Sequence, residues 1–267
     1  MRTHASWLVL FLVLHSGGAA HAQSSASNPS AGVLRTFVAC PIYRDTDAGR
    51  KSGCWLADDP SSGIRYDITL GPVKPQVGRA VLVEGITSAE PTTPCGGRVL
   101  TPVRTAVLPE PCARTIVPAD AYPGRPYKSP SEQLRPASEP RTLPPPPYDT
   151  RVFTIYFELG RDFLIYQYAE LILEKISLYA KASQAKLVQI DGFAATEPLR
   201  VSARTLREPA SLAEARANMV AEALRRLGVP AESLRVTWHS APKPTHDLES
   251  GQLPEASKRR VVITVKP

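Results

Sequence analysis

Residues 118–150, PADAYPGRPYKSPSEQLRPASEPRTLPPPPYDT, carry ten of the 27 prolines in a chain of 267 residues, with almost no apolar periodicity. Proline fixes φ and offers no backbone N–H, so no helix interior or central strand runs through such a stretch. The segment reads as a linker between a unit at 33–117 and a unit at 151–267. Proline-rich chain stays extended at about 3.1 Å per residue, so this linker holds its ends up to roughly 100 Å apart when fully stretched. A role as a polyproline ligand for an SH3-like partner has little to recommend it in an exported chain.

Export is the reading of residues 1–22. Arg2 is a basic start, Trp7–Leu14 is an apolar core too short to span a bilayer, and Ala20-His21-Ala22 is a small-residue cleavage pattern before Gln23. No cysteine follows the apolar core, which argues against a lipid-anchored start, and no later run is apolar enough to be transmembrane. The expected location is the periplasm, in association with the outer membrane or cell wall.

Outside the cytoplasm the cysteines become legible. Cys40, Cys54, Cys95 and Cys112 all lie before the proline-rich stretch and lack C-x-x-C spacing, which predicts two structural disulfides. Three pairings are possible. The sequential one, 40 with 54 and 95 with 112, is favoured because each bridge then closes a short, turn-rich loop, for about 3 kcal/mol apiece. That would help a small domain with a thin core.

Of five histidines only His239 and His246 lie outside the signal. With the cysteines committed and no His/Asp/Glu cluster at ligand spacing, neither a metal nor a cofactor is expected. No nucleophile or acid pair announces an enzyme. The net charge of +7 is spread along the chain, and an exported protein meets acidic glycans and lipid headgroups before nucleic acid. The one dense basic cluster, Lys258-Arg259-Arg260, suits a solvated strand entrance at least as well as a binding patch.

Short alternating runs between 33 and 117 (VLRTFVA, IRYDITL, AVLVEGI, RVLTPVRTAVL), separated by Pro, Gly, Ser and Asp clusters, predict a small all-β barrel of five or six strands, OB-like or SH3-like. Trp55 is expected as a core plug against the neighbouring disulfide. After the linker the period changes. VFTIYFEL alternates as a strand; Ile165, Tyr168, Ala169, Ile172, Ile176 and Tyr179 recur at helical spacing; LVQIDGFA returns to strand. Ser211–Leu227 is the clearest helix, with a Ser211/Glu214 capping box, Gly228 at the C′ position and Pro230 beyond it. LRVTWHS and RRVVITV close the chain as strands. The order is βαβαββ, with helices packed on a mixed sheet.

One residue of the second helix does not suit its surroundings. With Leu212 at zero and ~100° per residue, Leu212, Met219, Val220, Ala223 and Leu227 form an apolar stripe, and Arg216 falls inside it. A guanidinium buried there needs a carboxylate, a carbonyl cluster or an anionic ligand, and the nearby helix N-terminus favours an anion beside it. The competing reading is an arginine that snorkels past Leu212 to water.

On these residues the chain resembles the OmpA-like peptidoglycan-binding domain over about 152–266. The resemblance rests on TIYFELG, on IDGFAAT where the family has G-H-T-D, on SLAEARANMVAEALRRLGVPAESL where it has L-S-x-x-R-A and G-[IV]-P, and on SKRRVVI where it has N-R-R-V-x-[IV]. It implies an α/β sandwich that holds the diaminopimelate of a peptidoglycan stem peptide. The family's arginine meets the ligand's carboxylate and its aspartate meets the ammonium. Arg216, Arg259 and Arg260 match family arginines. Ala195 stands at the aspartate's position, Phe193 and Ala194 replace the histidine and threonine, Pro209 aligns with an asparagine, Lys258 replaces another, and the segment between Ala195 and Leu212 is about six residues longer than usual. Loss of one charge-assisted hydrogen bond, about 1.5–3 kcal/mol, weakens the usual ligand roughly 10- to 150-fold. Glu197, beside Thr196 in the enlarged loop, is the first candidate to compensate and Asp191 the second. The expected peptidoglycan site is therefore Arg216, Arg259, Arg260, Thr196 and Glu197. The expected partners are peptidoglycan, weakly held, and envelope or outer-membrane proteins, with no nucleic acid. The alternative is a structural subunit of a secretion apparatus or motor, its degenerate pocket refitted to a protein partner.

Overall fold

A computed structural model describes residues 32–46, 53–90, 94–125, 139–164, 166–247 and 250–267. The signal at 1–22 lies outside them.

The first sheet is built from β1 (Leu34–Ala39), β2 (Pro41–Arg44), β3 (Cys54–Asp58), β4 (Arg65–Asp67), β5 (Arg79–Thr87), β6 (Arg98–Pro111) and β7 (Thr115–Val117), in the order β1-β5-β6-β4-β3-β2-β7. β1 and β2 are consecutive pieces of one strand broken at Cys40. Its first half pairs with β5 and its second with β3, so the sheet closes on itself. β4 runs parallel to β6, and β7 parallel to β2. Side chains alternate across a strand. Phe37, Tyr66, Val81, Val83 and Leu100 fill the interior, while Val38, Ala80, Leu82, Ala106 and Leu108 make a second apolar layer on another face. Trp55 packs with the interior group and stands edge-on to Tyr43, 5.2 Å away. It does not plug against the disulfide as expected, because its neighbour Cys54 belongs to the opposite face with Ile42 and Leu56.

The disulfides join Cys40 to Cys112 and Cys54 to Cys95, which corrects the sequential pairing. The antiparallel register sets Pro41 opposite Ala57 and Arg44 opposite Cys54, so Cys40 and Cys54 sit at opposite ends of the β2–β3 hairpin. Cys95 and Cys112 likewise flank the two ends of the 14-residue β6. The bridges span 72 and 41 residues, and loops of that length give about 4 kcal/mol each in the chain-entropy model.

The second sheet has β8 (Arg151–Tyr156), β9 (Leu187–Ala194), β12 (Leu234–Ser240) and β13 (Arg260–Lys266), ordered β12-β9-β13-β8. β9 and β12 are parallel neighbours, and β13 is antiparallel to both β8 and β9. Helices α1 (Tyr166–Ala182) and α2 (Ser211–Arg226) cover one face. Ile176, Tyr179, Val188, Ile190, Val220, Leu224, Val261 and Ile263 pack between the layers. A hairpin, β10 (Leu199–Val201) with β11 (Arg204–Leu206), occupies the enlarged loop between β9 and α2. A 3-10 turn (Ala231–Ser233) precedes β12, and a short α3 (Pro254–Ser257) precedes β13.

Two local expectations for α2 need correction. Its N-cap is Ala210 with no side-chain cap bond, so Ser211 is the first helical residue and not half of a capping box. The buried stripe is Ala213, Arg216, Ala217, Val220, Ala221 and Leu224, rotated from the predicted one, and Met219 and Leu227 are 40% and 50% exposed. Close approach explains the rotation. A Cβ on Gly192 of β9 would lie 2.1 Å from the Ala213 carbonyl oxygen, so only a small-residue face fits against the sheet. The larger side chains are turned aside, where Phe163, Leu173, Met219 and Leu227 line an apolar groove of about 630 Å³ between α1 and α2.

The described ends of the proline-rich stretch lie on the two sheets. Arg125 pairs with Asp67 at 3.0 Å, and Gly124 N–H donates to Pro94 O. Further on, Tyr148 packs edge-on to Tyr179, whose hydroxyl donates to Asp149 O at 2.6 Å. The sheets themselves touch. Arg259, 2% exposed, donates from Nη2 to Glu84 of β5, which is equally buried. Arg104 of β6 lies over the Tyr156 ring at 5.1 Å.

Candidate functional site

The site is assembled where β8, β9 and α2 converge. Arg216 is fully buried on the first half of α2, and its guanidinium is clamped by Glu208, also without exposure. Nη2 reaches Oε1 at 2.6 Å and Nη1 reaches Oε2 at 2.8 Å. Nε donates to Arg161 O at 2.8 Å, Nη1 also to Phe193 O at 2.9 Å, and Nη2 also to Glu158 O at 3.1 Å. A guanidinium has five N–H donors, and all five are used within the chain. The Phe157 ring lies 5.1 Å from Cζ.

Glu208 is matched just as fully. Besides the arginine fork, its carboxylate accepts the Gly160 N–H at Oε1 and the Ala195 N–H at Oε2, both at 2.8 Å. Burial pushes its pKa up, but the bidentate arginine and the two backbone donors outweigh burial and hold it below the ordinary carboxylate range. Ala195, standing where the resemblance placed an ammonium-holding aspartate, contributes a backbone donor to this carboxylate.

The other expected site residues do not join it. Arg259 turns to the barrel. Besides Glu84 it donates to Glu255 O at 3.1 Å and Phe157 O at 3.3 Å, and although burial works against its charge, Glu84, Glu208 and Glu158 raise its pKa overall. Arg260 faces the opposite side of the sheet, 4.6 Å over the Phe193 ring, donating to Ser257 O at 2.6 Å. Thr196 turns back through its N–H to Ala194 O, and Glu197, 60% exposed at its side chain, pairs with Lys258 at 3.4 Å. Asp191 accepts from Gln189 at 2.8 Å and from Thr237. Neither acid nominated to compensate enters the Arg216 pocket. The one that does, Glu208, lies in the extra residues before α2, next to Pro209. Its only sequence signal is an acid inside the insertion that separates Ala195 from the helix.

A third carboxyl lies beside the pair. Glu158 is 7% exposed and its Oε1 has no partner. Burial raises its pKa despite Arg104, Arg259 and Arg216 nearby. Among the described residues no group of three or more His, Cys, Asp or Glu is placed to hold a metal ion, and no helix is long and apolar enough to cross a membrane.

This sheet and the two helices on its face form an α/β domain. Residues 156–260 match the model of the OmpA family, and the chain carries an OmpA-family domain there. Solved structures similar to it include the OmpA-like domain of FopA1 from Francisella tularensis subsp. tularensis SCHU S4, at 17% identity over 44% of this chain and 73% of that one (TM-score 0.35). The peptidoglycan-associated lipoprotein from Burkholderia pseudomallei aligns at 22% identity over 42% and 89% (TM-score 0.33). The cell wall anchor of the T6SS from Pseudomonas aeruginosa aligns at 25% identity over 44% and 82% (TM-score 0.33). No curated protein matches the chain.

Proposed function

We propose that the protein is a non-enzymatic structural component of the bacterial envelope, exported to the periplasm, whose OmpA-like domain serves protein docking rather than capture of diaminopimelate. The observation that carries this reading is the saturation of Arg216. With all five N–H groups bonded inside the chain, no donor is left for a ligand carboxylate, and displacing Glu208 would strand a buried charge, at a cost of several kcal/mol. The pocket that reads as a degenerate wall-binding site is, in this state, a closed internal ion pair.

The barrel supports the same reading. Its first strand bends to pair with both the second and the fourth, and its third and fifth run parallel, which we read as favouring the OB-like form of the expected barrel. It is joined to the OmpA-like domain by a buried ion pair. We infer one rigid two-module body, suited to a fixed place in a larger assembly. Co-sedimentation with purified sacculi tests this. The mature chain is expected to stay in the supernatant at the level of a non-binding control. Pelleting with sacculi that Arg216→Ala abolishes would refute the reading and restore wall binding.

A further inference from the structure

The segment that closes the pocket also grips the barrel. Between Thr196 and Ala210 the chain forms the β10–β11 hairpin and then delivers Glu208 to Arg216. The hairpin inserts Val201, 7% exposed, among Val38, Ala80, Leu82, Ala106 and Leu108 of the barrel's second apolar layer, with Leu199 and Leu206 beside it. At its tip Ser202 and Ala203 have positive φ, 46° and 58°, as a two-residue hairpin of the I′ type requires. This turn aims the Ser202 hydroxyl at the barrel, where it accepts the Val38 N–H at 3.0 Å. Arg204 pairs with Glu110 at 3.7 Å on the surface. Only Arg207 lies between the end of the hairpin and Glu208, whose own N–H donates to Ala195 O at 3.0 Å, so the hairpin's docking and the seating of that carboxylate are close neighbours in one short segment.

What Glu208 occupies has the make-up of a carboxylate receptor: a guanidinium fork and two converging backbone N–H groups, from Gly160 and Ala195, each about the same distance from one oxygen. We propose that residues 196–210 are a latch, in which docking of the hairpin on the barrel holds Glu208 in a receptor that, once the hairpin lifts, accepts a carboxylate from outside the chain. The inference rests on the closed-pocket reading above and adds how closure is controlled. Thermodynamic linkage makes the coupling reciprocal: a carboxylate at Arg216 weakens hairpin docking as much as docking weakens the carboxylate.

The experiment uses the mature chain with acetate as the probe. In Glu208→Ala the receptor loses its internal occupant, and sodium acetate is expected to raise the thermal midpoint saturably, beyond sodium chloride at equal ionic strength. The wild-type midpoint is expected to respond to the two salts alike. An acetate response in Glu208→Ala no larger than that to chloride overturns the latch. Should this variant fail to fold, Val201→Asp keeps Glu208 and Arg216 and unseats only the hairpin. Hydrogen exchange at the Ala195 amide is then expected to quicken by roughly tenfold or more while that of Leu82 in the barrel does not, as for local opening; unchanged protection at Ala195 overturns the latch. If the wild-type chain stays off sacculi while acetate does nothing, only the latch fails. If it pellets through Arg216, the closed pocket itself fails.

Discussion

Replacing Arg259 or Glu84 tests whether the barrel and the OmpA-like domain form one body. Both side chains are nearly without solvent, 2% and 3% exposed, and they lie 175 residues apart, so the pair exists only in the assembled fold. Removing one partner strands the other charge, and buried pairs broken in this way cost about 3–5 kcal/mol. For a chain of this size about 2–4 °C of thermal midpoint accompanies each kcal/mol, so Arg259→Met or Glu84→Met should lower it by roughly 6–20 °C. The double replacement removes both charges and the stranded partner together, and such apolar substitutions are often neutral. The double variant should therefore melt above either single variant, with a coupling energy of several kcal/mol in a denaturant double-mutant cycle. If the two single effects simply add, the residues do not meet and the barrel is not docked as described.

Gly192→Ala should cost about 1–3 kcal/mol in denaturant unfolding, the range for overpacking, because the new methyl would meet the Ala213 carbonyl oxygen and the Ala217 methyl; an unchanged midpoint would place α2 farther from β9. Glu158 and Glu208 give opposite pH dependences. Glu158 has a raised folded-state pKa, so its favourable contribution is complete below the unfolded carboxyl value of about 4.3 and is lost as pH rises through the folded one. Glu158→Gln should therefore gain stability relative to wild type on going from pH 4 to pH 7, and a difference independent of pH would contradict the burial of that carboxyl. Glu208 has a lowered folded pKa, so its contribution is present above the unfolded value and lost as pH falls through the folded one. Glu208→Gln should narrow its gap to wild type on acidification.

The sequence revealed what depends on local pattern. The alternating runs of the first sheet, the helices and the domain resemblance all follow from residues close together in the chain, and Arg216 is legible as an inward guanidinium because it falls within an apolar helical face. What escaped depends on pairs distant in sequence. The disulfide partners follow from a hairpin register that sets Cys54 opposite Arg44 rather than near Cys40. The face of α2 follows from Gly192 on another strand, which admits the alanines and turns Met219 and Leu227 away. Arg259 looked like part of a basic cluster because Glu84 lies in the other module. Local pattern favours Glu197, the acid nearer the strand end, since nothing local indicates that a hairpin folds Glu208 back over Ala195.

The ionisation of Glu208 is the most direct measure of the account. Carboxyl-carbon NMR of the mature chain, titrated from neutral pH downward, should find this side chain taking up its proton below a free glutamate, held there by the Arg216 fork and the two backbone donors. A Glu208 that titrates at the ordinary value of about 4.3, with the rest of the protein intact, would mean that it stands in water and that Arg216 is open to a ligand.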